Sequence, residues 1–354
     1  MLHIHCSGSP FEVGQQHGGA AREHIRRTLV FYRDYFLSKS GLRWPDAVAA
    51  AERFQAGLAR HCPHLVEEMK GIADGAGVDF ADILALNVRT EISMGLGLPS
   101  DGCTSLFYKP SDSHAILAQN WDWETAQQMN LVTLHIASRG DLPAISMITE
   151  AGIIGKIGLN GSGVGVCLNA IRARGVDFER LPVHIALRLV LECRSREQAV
   201  ATLTTAGVAA SCHILVADAG DAIGLECSHV DMVGLPARGG IYTHTNHWLV
   251  QHSGPGGPIT ESVFLQDSVP RLARLNSLIK IDRGKKSLVN VKGIEKMLED
   301  EDNFPGSINK ATSSTSSAAT LFSVVMDLDN RRANVRIGRP TEAVESFTLQ
   351  AACS

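Results

Sequence analysis

The chain has 354 residues, 44% of them apolar and 20% charged, with 33 Lys plus Arg against 37 Asp plus Glu and a net charge of −4. These proportions exclude a disordered chain, a coiled coil and a collagen-like repeat. With no basic excess and no cluster of four or more Lys/Arg, nucleic acid is not an expected partner. No apolar run approaches the ~18 residues of a membrane helix, so a membrane is not expected either. Aromatics are 5% while glycines number 33, which points to an aliphatic core with many tight turns. The length allows two or three domains, or one large one.

The start, Met1-Leu-His-Ile-His-Cys6, has neither a basic n-region nor a long apolar h-region, and the end, Ala351-Ala-Cys-Ser354, is not an S-K-L-type address. The expectation is a cytoplasmic protein. Eight cysteines stand at 6, 62, 103, 167, 193, 212, 227 and 353, with no C-x-x-C and no two closer than 15 residues. That spacing reads as reduced, intracellular thiols and supports no zinc site.

In chain order, the first hundred residues read as helical, with no strand pattern. Ala20 to Leu37 carries apolar residues at 25, 29, 30, 32, 36 and 37, a 3.6-residue period. Pro45 opens a second helix through Leu58, Pro63 a third, and Asp79 caps a fourth. At Leu96-Gly-Leu-Pro-Ser-Asp-Gly-Cys103 the character changes: Gly97, Pro99 and Gly102 punctuate a loop. Short strand-like runs follow at Thr104–Tyr108, Ala115–Gln119, Leu131–Ile136, Ala144–Thr149, Gly152–Gly158 and Val164–Leu168. Pro182–Leu191 and Ser195–Thr205 read as helices. Strands return at Ile214–Ala217, Ala222–Glu226, Met232–Leu235 and Ile241–Thr243. A Gly/Pro-rich loop at 253–258 leads to helices near Val263–Ile279 and 290–299, and Leu321–Met326 with Ala333–Ile337 form a closing hairpin. Helices, hairpins, helices and hairpins in succession are an α+β order.

Several motifs are weighed for chemistry. Gly158-x-Asn-Gly-x-Gly-x-Gly165 is not G-x-x-x-x-G-K-[ST] and precedes a strand pattern, so it reads as a hairpin turn. Ser162 within it is no strand-to-helix nucleophile elbow. His244-Thr-Asn-His247, with His252, lacks the acid of H-E-x-x-H and follows a strand, so a metal site is not expected there. His61 and His64 are weaker still, being separated by Pro63. A cysteine taken alone is more often a small core hydrophobe. Cys103, however, follows Asp101-Gly102 where helices give way to strands, and glycine tolerates backbone angles that other residues avoid. A strained peptide there suits self-cleavage: the Cys103 thiol attacks the Gly102 carbonyl, the acyl group shifts from nitrogen to sulfur, and hydrolysis leaves Cys103 as a new N-terminus. Its α-amine, with an ordinary pKa of ~7.7–8.0, can then serve as base to its own thiol.

Four separated motifs, Asp101-Gly-Cys-Thr104, Gln119-Asn-Trp-Asp122, Ile148-Thr-Glu-Ala-Gly-Ile-Ile-Gly-Lys156 and His244-Thr-Asn-His247, resemble the acyl-coenzyme A:6-aminopenicillanic-acid acyltransferase (isopenicillin N acyltransferase) family of N-terminal-nucleophile hydrolases. The resemblance extends to Met1-Leu-His-Ile, Pro10-Phe-Glu-x-Gly14, Leu86-Asn-x-Arg-Thr-Glu91, Ser307-Ile308 and Arg336-x-Gly-Arg-Pro-Thr341, and so spans nearly the whole chain. It implies a four-layer αββα sandwich of two antiparallel sheets. It also implies cleavage at Gly102–Cys103 into a helical small subunit, 1–102, and a large subunit, 103–354, together one compact domain. Cys103 matches the nucleophile. Asp122 matches an acid that helps hold the N-terminal amine and resembles the Arg-Asn-Met-Asp element of bile-salt hydrolases. Asn246 matches the side-chain donor to the oxyanion, and Ser307 a serine associated with processing. Glu150 and Arg89 are expected as buried structural partners. Gly306, Asn309 and Lys310 replace bulkier or differently charged residues beside Ser307, so different pocket walls are expected.

The implied chemistry is acyl transfer through a thioester on Cys103, with no bound cofactor and no metal. The partners are a small-molecule amide or amine and acyl-coenzyme A as co-substrate. Three readings stay open: an N-acyltransferase using acyl-coenzyme A, an amidohydrolase of N-acyl amino acids or peptides, and a non-catalytic binding protein on the same fold. The first two differ in whether water is kept from the thioester, which residue types do not reveal.

Overall fold

The computed structural model describes residues 1–95, 102–110, 113–262, 265–283 and 290–352. Of the loop at 96–102 only Gly102 is therefore described; Asp101, the start of the helix near Val263, and Cys353-Ser354 lie outside the described residues.

The first element corrects the all-helical reading of the N-terminal region. Leu2–Cys6 is a strand, β1, in which Ile4 and Cys6 are buried and His3 and His5 exposed. The two-residue alternation of a half-buried strand was present, but over only five residues. Seven helices follow: α1 (Pro10–Ala20), α2 (Arg22–Ser40), α3 (Trp44–Glu52), α4 (Gln55–His61), α5 (Pro63–Ala76), α6 (Phe80–Asn87) and α7 (Arg89–Gly95). Ser9 and Glu12 close a capping box on α1, and Gly41 and Gly77, both left-handed, end α2 and α5. Helices α1 and α5 touch backbone to backbone: a Cβ on Gly14 would lie 1.9 Å from Glu68 O, and one on Gly71 2.0 Å from Phe11 O. Glycine is what permits that approach.

After Gly102 come β2 (Cys103–Tyr108), β3 (Ile116–Glu124), β4 (Leu131–Ile136), β5 (Ile145–Glu150), β6 (Ile157–Asn160) and β7 (Gly165–Ala170), then α8 (Val183–Leu191) and α9 (Arg196–Ala206). Strands β8 (Cys212–Ala217), β9 (Ala222–Cys227), β10 (Met232–Pro236) and β11 (Ile241–His244) follow. The Gly/Pro-rich loop is in fact a small hairpin, β12 (His252–Gly254) with β13 (Gly257–Ile259). Helices α10 (Ser268–Arg283) and α11 (Val291–Leu298) precede β14 (Ala318–Asp327), β15 (Arg332–Ile337) and β16 (Glu345–Gln350).

The strands form two large sheets, in the orders β1-β4-β5-β6-β7-β8-β9-β10 and β11-β2-β3-β14-β15-β16. Pairing is antiparallel except between β1 and β4, so the first sheet is mixed where two purely antiparallel sheets were expected. The N-terminal strand enters from the helical region, and is not the return arm of a hairpin. Helices α8 and α9 lie against the first sheet, and α10 and α11 against the second. Leu106, Ala118 and Val325 of the second sheet pack with Leu275, Ile279, Ile294 and Leu298 of those helices. Polar ties join the sheets: Ser105 on β2 donates to Asn169 on β7 at 2.7 Å, and Leu168 N–H donates to Gln119 Oε1 at 3.0 Å. The expected order of helix, sheet, sheet and helix is what the chain builds. The Asn160-Gly161-Ser162-Gly163 segment is the turn between β6 and β7, with Gly163 at φ +84°. Among the described residues no helix is long and apolar enough to cross a membrane.

Candidate active site

The peptide between Gly102 and Cys103 is held at both polar atoms. Strand β2 starts at Cys103, opposite Trp121 of β3. The Gly102 carbonyl accepts the Asp122 N–H at 3.1 Å. The Cys103 N–H donates to Asn246 Oδ1 at 2.7 Å. Asn246 follows β11; its Nδ2 donates to Ala170 O at 2.9 Å, and its N–H to Ser268 Oγ at 2.8 Å. Arg271 of α10, 1% exposed, closes the group. Its Nη1 donates to Cys103 O at 2.8 Å and Thr104 Oγ1 at 3.0 Å, and its Nη2 to Asn246 Oδ1 at 2.9 Å.

Glycine at 102 answers to space: a Cβ there would sit 2.9 Å from both Arg271 Nη2 and Asp122 Oδ2. Asp122 is buried, its Oδ1 accepting from Thr320 Oγ1 at 2.7 Å and its Oδ2 having no partner among the described residues. Burial pushes its carboxyl up to about 7, against the pull of Arg271 and Lys310. Burial and the neighbouring Asp122 together push the Cys103 thiol up to about 12. The sulfur is thus a thiol beside a carboxyl able to exchange protons near neutral pH.

Cys103 lines a cavity of about 30 Å³ with Arg89, Thr90, Trp121, Leu168 and Ala170 among its walls. That is room for about one water. Beneath it, Glu150 gathers Arg89 Nη2 at 2.6 Å, Tyr32 Oη at 2.5 Å, Gln127 Nε2 at 3.0 Å and Lys156. Burial alone would raise the Glu150 carboxyl, but Arg89 and Lys156 hold it well below the usual range. The ammonium of Lys156 lies 3.8 Å from the centre of the Trp121 ring. Glu150 and Arg89 are thus the buried partners expected.

The family described as acyl-coenzyme A:6-aminopenicillanic acid acyl-transferase matches residues 109–342. The chain is 38% identical over 353 residues to the acyl-coenzyme A:6-aminopenicillanic-acid-acyltransferase 40 kDa form of Emericella nidulans, covering 99% of this chain and 96% of that one. The chain belongs to the acyl-coenzyme A:6-aminopenicillanic acid acyl-transferase family. Among solved structures, a mutant conjugated bile acid hydrolase from Clostridium perfringens aligns with a TM-score of 0.50 at 13% identity, over 70% of this chain and 92% of that chain. At that identity the likeness speaks to the fold, which is the N-terminal-nucleophile hydrolase sandwich.

Within this family member, Cys103, Asp122 and Asn246 stand together around Gly102. Ser307 does not join them: it is buried and its hydroxyl donates to Asn309 O at 2.7 Å. Its segment reaches the site through Lys310, whose Nζ lies 2.6 Å from Asp267, the carboxylate that also pairs with Arg271 at 2.9 Å. The histidines of the 244–252 loop are used as hydrogen-bond partners. His244 Nε2 lies 2.9 Å and His252 Nε2 3.2 Å from the two oxygens of buried Glu226, which also accepts the Leu249 N–H at 2.7 Å. His247 Nδ1 meets Ser268 Oγ at 2.7 Å. Sequence reasoning missed Arg271, Asp267, Thr320 and Glu226. None stands in a recognisable motif, and an arginine in a helix containing Arg274 and Lys280 reads as part of a solvated face.

Proposed function

We propose that the chain is an N-acyltransferase/amidohydrolase that cuts itself between Gly102 and Cys103 and then works through a thioester on Cys103. The observation that carries this reading is the grip on one peptide bond, its N–H on Asn246 and its C=O on the Asp122 N–H, with a cysteine as the next side chain. In the first event Asp122 Oδ2 takes the thiol proton and the sulfur attacks the Gly102 carbonyl carbon. The oxyanion forms on the oxygen already facing the Asp122 N–H. The C–N bond breaks as the proton passes to the Cys103 nitrogen, and water hydrolyses the thioester to a Gly102 carboxylate and a free thiol. Residues 1–102 and 103–354 stay together as small and large subunits of one body.

In turnover the new α-amine is the base, held by Asn246 Oδ1 and Asp122. An acyl-coenzyme A or an N-acyl amide gives its acyl group to the sulfur, and an amine or water takes it. The Asn246 amide and backbone N–H groups stabilise the oxyanion. The name of the Emericella relative favours acyl-coenzyme A as donor and an amine as acceptor. Intact-mass measurement of wild type and Cys103→Ala, each with a panel of acyl-coenzyme A thioesters and N-acyl amino acids, tests this. Wild type is expected as two masses divided at Gly102–Cys103, the larger gaining an acyl group. Cys103→Ala is expected as one chain without adduct. Cleavage that persists in Cys103→Ala overturns self-processing, and two subunits that take no acyl group from any donor leave the non-catalytic reading.

A further inference from the structure

Arg271 stands in the first turn of α10 and has all five of its N–H donors placed. Nε and Nη2 donate to Asp267 Oδ1 at 3.3 and 2.9 Å, and Nη2 donates again to Asn246 Oδ1 at 2.9 Å. Nη1 donates to Cys103 O at 2.8 Å and to Thr104 Oγ1 at 3.0 Å. A planar guanidinium so held has one orientation, and a lysine ammonium, with fewer donors, could not span these partners. Helix α10 also carries the loop that holds Asn246: Ser268, its first residue, accepts the Asn246 N–H at 2.8 Å and, on its carbonyl, the Thr245 hydroxyl at 3.0 Å. Asp267 is fixed in turn, its Oδ2 accepting from Lys310 Nζ at 2.6 Å. The Cys103 nitrogen and the Arg271 guanidinium thus share one acceptor, Asn246 Oδ1, and lie within two hydrogen bonds of each other.

In a self-cut enzyme that nitrogen becomes the α-amine, which serves as base only while unprotonated. A fixed cation nearby disfavours its protonated form. We propose that Arg271 is a positioning residue that keeps the Cys103 α-amine in its base form near neutral pH and locks the Asn246 amide with its oxygen toward that amine. This rests on the reading of the chain as a self-cutting enzyme. Among the described residues, the charged groups around Cys103 are Asp122 on β3, Arg271 with Asp267 at the start of α10, Lys310 ahead of β14, and Lys156 ahead of β6. Lys156 is paired with Glu150 of β5, alongside Arg89 of α7. Cys167 of β7 and His247 beside Asn246 are kept neutral, burial raising the thiol and lowering the imidazole to about 4. Asp122 favours the protonated amine, and Asp267 is divided between Arg271 and Lys310. Losing the Arg271 charge therefore leaves two carboxylates less opposed and favours protonation. Losing the Asp267 charge leaves two cations less opposed and disfavours it. The two changes move the titration in opposite directions, which loosened packing alone would not do.

The probe is iodoacetamide, whose reaction with Cys103 does not depend on which acyl donor the enzyme uses. Alkylation of residue 103 in the cut protein is followed by peptide mapping over a series of pH values. The pH at which the rate sets in reports the apparent pKa of the amine–thiol pair. Arg271→Met is expected to move that onset up by about one pH unit, and Asp267→Asn to move it down by about half a unit. Arg271→Lys, which keeps the charge and loses the fork, is expected to restore most of the onset lost in Arg271→Met. An onset unmoved in Arg271→Met, or moved the same way by Arg271→Met and Asp267→Asn, overturns the proposal. If Arg271→Met stays a single chain, Asp267→Asn decides, and an unmoved or raised onset there overturns it. If neither variant is cut, Arg271 serves the cleavage alone and the proposal is likewise overturned. Wild type recovered as a single chain overturns the self-cutting reading itself, which a cut wild type with unmoved onsets in the variants would leave standing.

Discussion

The side-chain oxygen of Asn246 lies 2.7 Å from the backbone nitrogen of Cys103. The same atom takes a second hydrogen bond from Arg271 Nη2 at 2.9 Å. Two donors converge on it, so it is the amide oxygen and the orientation of the amide follows from its partners. Asn246 thus presents an acceptor to the Cys103 nitrogen, while its Nδ2 donates to Ala170 O; in the proposed reaction the acceptor serves cleavage and the amide N–H the oxyanion.

These two jobs separate by substitution. Asn246→Asp keeps an acceptor for both Cys103 N–H and Arg271, so cleavage into two subunits is expected to proceed. It loses the amide donor and repels an oxyanion, so kcat is expected to fall by ~10²–10³ with little change in KM. Asn246→Ala removes both functions and should be slow in cleavage as well. Gel analysis of cleavage beside steady-state kinetics reads the two effects. Near-normal kcat in a cleaved Asn246→Asp enzyme would pass the oxyanion role to backbone N–H groups.

Gly102→Ala tests the packing argument. Its Cβ would meet Arg271 Nη2 and Asp122 Oδ2 at 2.9 Å each, closer than real Cβ contacts come. One or both must move, and both belong to the group that grips the peptide. Purified Gly102→Ala is expected mostly as a single chain whose thermal midpoint matches that of Cys103→Ala within a few degrees. Wild-type cleavage rates in this variant would mean that the grip does not depend on close approach.

The Asp122 carboxyl, raised to about 7 by burial, gives the cleavage step a pH signature. The base is the ionised form, so the rate should rise with pH through about 7 and level off above it. Following refolded precursor by time-resolved gel or mass spectrometry supplies the profile. Asp122→Asn, which keeps size and hydrogen bonding but cannot take the proton, should slow cleavage at least ~10²-fold and flatten the profile. A wild-type rate independent of pH between 5 and 9 would assign the proton to another group.

What could be read before folding and what could not have distinct physical reasons. Cys103 opens β2, Asp122 lies two residues before the end of β3 and Asn246 just past β11, each within a short motif. The α+β order followed from the change of hydrophobic period near Cys103. Arg271 was hidden because its burial is made by partners far along the chain, Cys103, Asn246 and the Asp267–Lys310 pair. Helix α7 was hidden because Arg89, Thr90, Glu91 and Ser93 are polar yet buried, so hydrophobic periodicity is silent there. Arg89, Thr90 and Ser93 line the cavity beside Cys103. Gly102 was singled out for backbone freedom, and the lack of room for a side chain beside Arg271 and Asp122 was not legible in the sequence.

Glu226 lends itself to a test of stability. Its carboxylate is fully buried and holds the loop that carries Asn246, through His244, His252 and the N–H groups of Leu249 and Val250. Burial would raise its pKa, but the bonds from His244 and His252 hold the carboxyl down to about 2. A carboxyl depressed on folding stabilises the fold above its unfolded pKa of ~4.3 and loses that contribution as pH falls through the folded value. His252 behaves oppositely: its pKa is raised by Glu226 and Asp231 against burial, so its share is present below ~6.5 and fades as pH rises through the folded value. Glu226→Gln, which leaves both histidines facing a neutral amide, should therefore destabilise the protein by on the order of 3 kcal/mol near neutral pH. The gap to wild type should narrow as pH falls from ~4.3 toward the folded value, because wild type loses there what the variant already lacks. Denaturant unfolding at a series of pH values measures the gap. A gap that stays constant from pH 7 down to 3 would show that Glu226 acts through its shape and not its charge. Because the same loop carries Asn246, kcat should fall along with stability, and a variant that lost stability but kept full kcat would separate the loop's anchoring from the placement of Asn246.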